Sequence, residues 1–206
     1  MTIPEKKSKT TILVECAILV AAACVLSFFK IKPVPFGGSI TIGSMVPIVL
    51  ISYRRGLKWG FLSALVFSIF RFIIGFSGIG TMSVATTLLS IFLDYIAAFT
   101  VLGISGLFKN KFRHPANEIA LGALIAMLLR YICHIISGYL FFSEYAEWFF
   151  GEAGGFGEAV LSRFSGTGLS IIYSVVYNAT FMLPEIAITV AACYLLSMTS
   201  SIIIQK

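Results

Sequence analysis

Between Val84 and Phe108 the chain reads VATTLLSIFLDYIAAFTVLGISGLF, an apolar run in which Asp94 is the one charged residue. About 20 predominantly apolar residues suffice for a helix to cross the hydrocarbon core of a bilayer, so this run predicts a transmembrane helix. Its carboxylate must pair with a cation from the protein or from a ligand, or else be protonated, because an ionisable group at that depth costs about 3 kcal/mol or more.

Outward from this run, comparable stretches cover about 11–30, 40–53, 57–76, 117–142 and 169–198. The expectation is an all-α membrane protein of six transmembrane helices in a single membrane domain over residues 1–206. The composition agrees. Of 206 residues, 58% are hydrophobic and 12% charged, against roughly 45–50% and 25% in soluble domains. Mean hydropathy is +0.98. The excess is spread along the chain, which excludes one anchor on a soluble body, and 19 Phe with 8 Tyr exclude a disordered chain.

The net charge of +6 does not mark a nucleic-acid partner, because the cations fall in short clusters between apolar runs. With the N-terminus in the cytoplasm, Lys6, Lys7, Lys9, Arg54, Arg55, Lys58, Lys109, Lys111, Arg113 and Lys206 lie inside, while Lys30, Lys32 and Arg163 lie outside. That asymmetry follows the positive-inside rule and places both termini in the cytoplasm. The basic patch before the first run resembles a secretory signal, but the spans that follow favour a first transmembrane helix. The outer loop 143–168 is rich in Gly and Glu and is expected to form a mobile lid. The second span is short, and Pro33, Pro35, Gly37 and Gly38 before it break helices; the 33–40 segment is a candidate pocket wall or lid. Cys16, Cys24, Cys133 and Cys193 all lie in apolar runs without metal-ligand or disulfide spacing, and read as small buried residues.

Glu15, Arg71, Asp94, Arg130, His134 and Glu185 stand inside the apolar runs. Glu15 lies near the inner end of the first helix and reads as structural. Arg130, His134 and Gly138 recur at i, i+4 and i+8 and share one helix face, where Gly138 lets a flat ligand approach. Two readings of Asp94 are open: an ion pair with Arg130 joining two helices, or a ligand contact. Arg71 either snorkels to water or faces the pocket, as a partner of Asp94 or of an anionic ligand group. Tyr173 is equally an interfacial tyrosine or a site residue. Ala17 and Ala21, four apart, allow close helix approach in lipid, within this chain or to a partner.

Several motifs together resemble one family: Gly37-Gly38-Ser39, Ile51-Ser52-Tyr53-Arg54-Arg55-Gly56-Leu57, Leu93-Asp94-Tyr95, Leu129-Arg130-Tyr131 with His134 and Ser137-Gly138, and Tyr173-Ser174 with Tyr177-Asn178. From about residue 11 to 198, the chain resembles the thiamine-specific substrate-binding subunit, or S component, of energy-coupling factor (ECF) transporters. The resemblance implies high-affinity thiamine binding in the plasma membrane of a bacterium. It also implies docking, through Ala17 and Ala21, on an ECF transmembrane coupling protein that carries two cytosolic ATPase subunits. No Gly-x-x-x-x-Gly-Lys-Ser/Thr loop occurs in this chain; ATP chemistry would belong to the partners, with no cofactor or metal here.

The implied ligand-binding residues are Asp94, Tyr95, His134, Gly138, Phe142, Tyr173 and Asn178, with Gly38 and Arg71 as further candidates. Some members stack the ligand on two tryptophans where this chain has Gly38 and Phe142; Phe36 or Trp148 is a candidate replacement. That difference and Arg71 leave open a thiamine phosphate, a pyrimidine precursor or another small heterocycle. Rivals from other classes are an intramembrane enzyme using Asp94 and His134 as acid and base, without a nucleophile motif to support it, and a self-sufficient facilitator.

Overall fold

A computed structural model describes residues 8–31, 38–76 and 83–199. Pro33, Pro35, Phe36, Gly37, Lys6, Lys7, Lys32 and Lys206, which entered the expectations above, lie outside these residues. Helix α1 (Lys9–Leu26) starts at Ser8, whose hydroxyl accepts the Thr11 N–H at 3.2 Å, a side-chain cap for an otherwise orphaned donor. A short antiparallel pair follows, β1 (Lys30–Ile31) with β2 (Ile40–Thr41), setting Lys30 opposite Thr41.

Helix α2 (Val46–Arg55) has ten residues. At 1.5 Å per residue it rises about 15 Å, half the thickness of the hydrocarbon core. The expected span 40–53 is thus shorter than a crossing helix. Gly43, at φ 76°, turns the chain, and the helix begins only at Val46 with Pro47 in its first turn, where the missing N–H costs nothing. Six of its apolar or aromatic residues are buried: Val46, Pro47, Ile48, Val49, Ile51 and Tyr53. Gly56, at φ 85°, ends α2 and starts α3 (Leu57–Gly75).

Helix α4 (Val84–Phe108) is irregular as the Asp94 run descends. Phe92–Ala97 forms a π turn, in which the Ala98 N–H reaches back to the Leu93 carbonyl, and Val101–Phe108 tightens to a 3₁₀ helix. The Ser52 hydroxyl of α2 donates to the Gly103 carbonyl at 2.6 Å and accepts the Gly106 N–H at 2.9 Å, tying α2 to this segment. Helix α5 (Pro115–Phe141) crosses α4 at Gly122, where any side chain would strike the Ser105 carbonyl. Small residues permit this approach in lipid.

The 143–168 segment is not an open loop. It folds into a turn at Ser143–Tyr145, α6 (Ala146–Gly151) and α7 (Gly154–Leu161). Ala146, Phe150 and Val160 bury themselves against Leu169 and Tyr173 of α8 (Gly166–Thr199). The glycines read as loop markers are helix punctuation: Gly154 and Gly166 take φ 60° and 53° before α7 and α8, and Gly157 lets α7 lie on the Phe150 carbonyl. Apolar burial thereby gives a glycine-rich stretch helical structure.

Among the described residues five helices, α1, α3, α4, α5 and α8, are long and apolar enough to cross a membrane. At the basic end, Glu15 pairs with Arg54 at 2.7 Å and with Arg55. The Tyr53 hydroxyl donates to Glu118 at 2.8 Å. Glu15 therefore ties α1 to α2, a structural role. The four cysteines are free thiols.

Candidate functional site

Two polar layers cross the helix bundle, and they separate the charges that sequence spacing left unpaired. In the first, the π turn of α4 presents Asp94 to α5. Asp94 Oδ1 lies 2.9 Å from His134 Nδ1, and Ser137 Oγ donates to Oδ2 at 2.5 Å. Such turns insert one residue into a helix and recur at functional sites. His134 is 9% exposed, its ring is edge-on to Phe181 at 5.8 Å, and its Nε2 is buried without a hydrogen-bond partner.

In the second layer, Arg130 donates to Glu185 Oε2 at 2.5 Å. The other Glu185 oxygen accepts the Thr41 N–H at 3.1 Å and the Thr41 hydroxyl at 2.5 Å. The Asp94–Arg130 ion pair, one of the two readings left open for Asp94, does not form; these two sets stand in its place. Arg130 precedes His134 by one helical turn, about 6 Å along the axis, which carries it from the level of Asp94 to that of Glu185. Its guanidinium also lies 4.3 Å from the Phe99 ring centre. Arg71 approaches the same ring at 5.3 Å and donates to the Ser27 carbonyl at 3.5 Å. It pairs with neither Asp94 nor any other carboxylate among the described residues.

An aromatic wall runs down α8 beside the first layer. Tyr173, Tyr177 and Phe181 succeed one another at ring-centre spacings of 5.5 and 6.1 Å. Phe149 of α6 sits 5.6 Å from both tyrosines. This wall occupies the region expected to carry stacking groups. Trp148 is 39% exposed, whereas its neighbour Phe149 faces the tyrosines; Phe36 is outside the described residues. Phe142 packs at the end of α5 with the α6–α7 cluster. Gly38, at φ 59°, lies so close to Phe181 that a side chain there would overlap its ring.

The remaining expected residues have mainly local partners. The Tyr95 ring is edge-on to Phe72 at 5.7 Å and borders Gly75. Asn178 donates to the His134 and Ser174 carbonyls at 3.2 and 2.8 Å. The space left by Gly138 is filled by Ser174 and Asn178, so this glycine brings α5 against α8. Ala17 and Ala21 lie exposed on α1, of which only Cys16 and Ala23 are buried. Sequence reasoning missed Ser137, Phe149, Phe181 and Thr41. The four-residue spacing of Tyr173, Tyr177 and Phe181 was a legible signal; the others depend on which helices meet.

Chemically, a carboxylate, an imidazole edge and stacked aromatic faces suit a flat, cationic heterocycle, since aromatic faces attract cations by about 0.5–2 kcal/mol. The architecture is shared with solved membrane proteins. It superposes with a TM-score of 0.71 on the structure of ThiT from Listeria monocytogenes, at 23% identity over 96% of this chain and 98% of that one. It also matches the S component of a bacterial ECF transporter, with a TM-score of 0.56 at 18% identity over 97% and 100% of the two chains. The fold is therefore that of small membrane-embedded S components. A family model described as thiamine transporter protein matches residues 13–149, and the thiamine transporter ThiT of Bacillus subtilis is 35% identical over 199 residues, 91% of each chain. The chain belongs to this thiamine transporter family.

Proposed function

We propose that this chain is the S component of a bacterial ECF transporter, holding thiamine with high affinity in the plasma membrane. The observation that carries the ligand assignment is Asp94. Among the described residues its carboxylate meets an imidazole and a hydroxyl and no lysine or arginine, while Arg130 is taken by Glu185. The thiazolium of thiamine supplies the missing cation, and the aromatic wall beside it supplies stacking faces. The family relatives support the same ligand.

In this reading the chain crosses the membrane six times, the stretch from β2 through α2 making the second passage, with both termini cytoplasmic. Ala17 and Ala21 dock on the coupling protein, and two partner ATPases hydrolyse ATP. The chain is a binding subunit and no enzyme. Titration of the purified protein with thiamine, followed by calorimetry or by quenching of Trp59 and Trp148, is expected to give nanomolar binding without turnover. No binding below about 100 μM sinks the ligand assignment (a free energy near −5.5 kcal/mol). Uptake is expected only when coupling protein and ATPases are co-expressed; uptake by the chain alone contradicts the transporter assignment.

Arg71 favours a second reading. With no carboxylate partner among the described residues and a buried Nε lacking a hydrogen bond, it suits an anionic group on the ligand, as in a thiamine phosphate. If Arg71→Gln binds thiamine and thiamine phosphate as the parent does, this reading is excluded.

A further inference from the structure

We propose that Asp94 and Ser137 set the tautomer of His134, and that its bare Nε2 then selects ligands bearing an exocyclic amine over those bearing a carbonyl at the same place. The inference rests on the thiamine reading for the ligand and adds a specificity device within the site.

The chemistry starts from the carboxylate. An ionised carboxylate only accepts hydrogen bonds. Ser137 Oγ donates to Asp94 Oδ2 at 2.5 Å, and His134 Nδ1 faces Oδ1 at 2.9 Å. Nδ1 must therefore carry the proton. With the ring neutral, as the proposal requires, one nitrogen donates and the other accepts, so that Nε2 presents a lone pair. That nitrogen is buried and has no partner among the described residues, and the ring is 91% buried, being 9% exposed. Phe181, edge-on at 5.8 Å, restricts ring rotation.

A buried acceptor left empty loses the hydrogen bond it would make in water. An amino group on a bound aminopyrimidine restores it; a carbonyl in its place sets two lone pairs against each other. Sites built around a donor–acceptor match reject the mismatched analogue strongly. Ser137 acts through Asp94 and is a positioning residue: without its hydroxyl the carboxylate swings and the Nδ1 bond weakens.

The test measures thiamine against its 4-oxo analogue, in which the amine is replaced by a carbonyl, on the full chain in detergent. The parent is expected to prefer thiamine at least ~100-fold. In Asp94→Asn, the amide N–H can donate to Nδ1, which moves the ring proton to Nε2. Both ligands then weaken through loss of the carboxylate charge, but the amino-to-oxo ratio should fall at least ~10-fold, as a donor at Nε2 now favours the carbonyl. Ser137→Ala should narrow the ratio and Ser137→Thr restore it.

If the parent binds both ligands alike, or if Asp94→Asn, once imidazole ¹⁵N shifts show its ring proton on Nε2, weakens both by one common factor, the inference is overturned while the thiamine assignment stands. If the parent binds neither ligand, the thiamine assignment fails. The imidazole ¹⁵N shifts of the unliganded protein then decide the tautomer: a protonated Nδ1 with bare Nε2 supports the inference, and the reverse overturns it.

Discussion

Replacing Glu185 with Ala removes the carboxylate that, among the described residues, pairs with Arg130. Glu185 is 1% exposed and accepts from Arg130 at 2.5 Å, from the Thr41 hydroxyl at 2.5 Å and from the Thr41 N–H at 3.1 Å. Arg130 is 3% exposed, and its Nε already lacks a hydrogen bond. Breaking a buried pair from one side leaves an uncompensated charge and costs about 3–5 kcal/mol. The stranded Thr41 N–H adds about 1–3 kcal/mol, not fully additively. At the lower bound of ~3 kcal/mol, a chain of this length loses roughly 6–12 °C in unfolding midpoint. The converse substitution isolates the cause. Arg130→Met combined with Glu185→Leu removes both charges, and apolar replacement of buried pairs is often neutral or stabilising, so the double variant should recover most of the loss. The assay is the unfolding midpoint in detergent micelles. A loss below about 1 kcal/mol in Glu185→Ala, or a double variant as unstable as the single one, refutes the assignment of a closed ionic layer.

Three further outcomes follow from the same geometry. Tyr177→Leu and Phe181→Leu should each weaken thiamine binding roughly 3–30-fold by calorimetry, the loss of one cation-facing ring, while Trp148→Leu changes it less than about 2-fold, as suits a side chain at the rim. Gly138→Ala, whose added methyl meets Ser174 and Asn178, should lower stability by about 1–3 kcal/mol through overpacking of α5 on α8, read as a drop in unfolding midpoint. Ala17→Trp and Ala21→Trp, on the exposed face of α1, should abolish uptake in cells carrying the partner subunits and leave thiamine binding by the purified chain intact; equal loss of both refutes the docking role.

The long helices were legible because hydropathy and length alone demand them: α1, α3, α5 and α8 begin and end within a few residues of their expected limits. The differences arise where tertiary contacts decide. The second span was read as short, 40–53, and its helix is shorter still, because Gly43 and Pro47 delay its start and β2 takes part of the run. At 143–168, the stretch read as a glycine-rich outer loop carries two short helices, with Phe149 against Tyr173 and Phe150 buried beside it. Glycine content reports what the backbone is free to do. It carries no information about an aromatic surface waiting on another helix.

Site residues divide in the same way. Asp94, Arg130, His134 and Glu185 were visible as ionisable groups in apolar runs, since each costs energy wherever it lands. Their pairing was not visible, because periodicity fixes a side chain's face and depth on its own helix but not the helix it meets. Depth settles it once the helices are placed: Arg130 is a turn away from His134 and finds Glu185, so Asp94 is left to the His134 imidazole and the Ser137 hydroxyl. Arg130 and Glu185 compensate each other within the chain, whereas Asp94 meets no lysine or arginine among the described residues; on the proposed reading the thiamine cation enters at the Asp94 layer, and the ionic layer takes no guest.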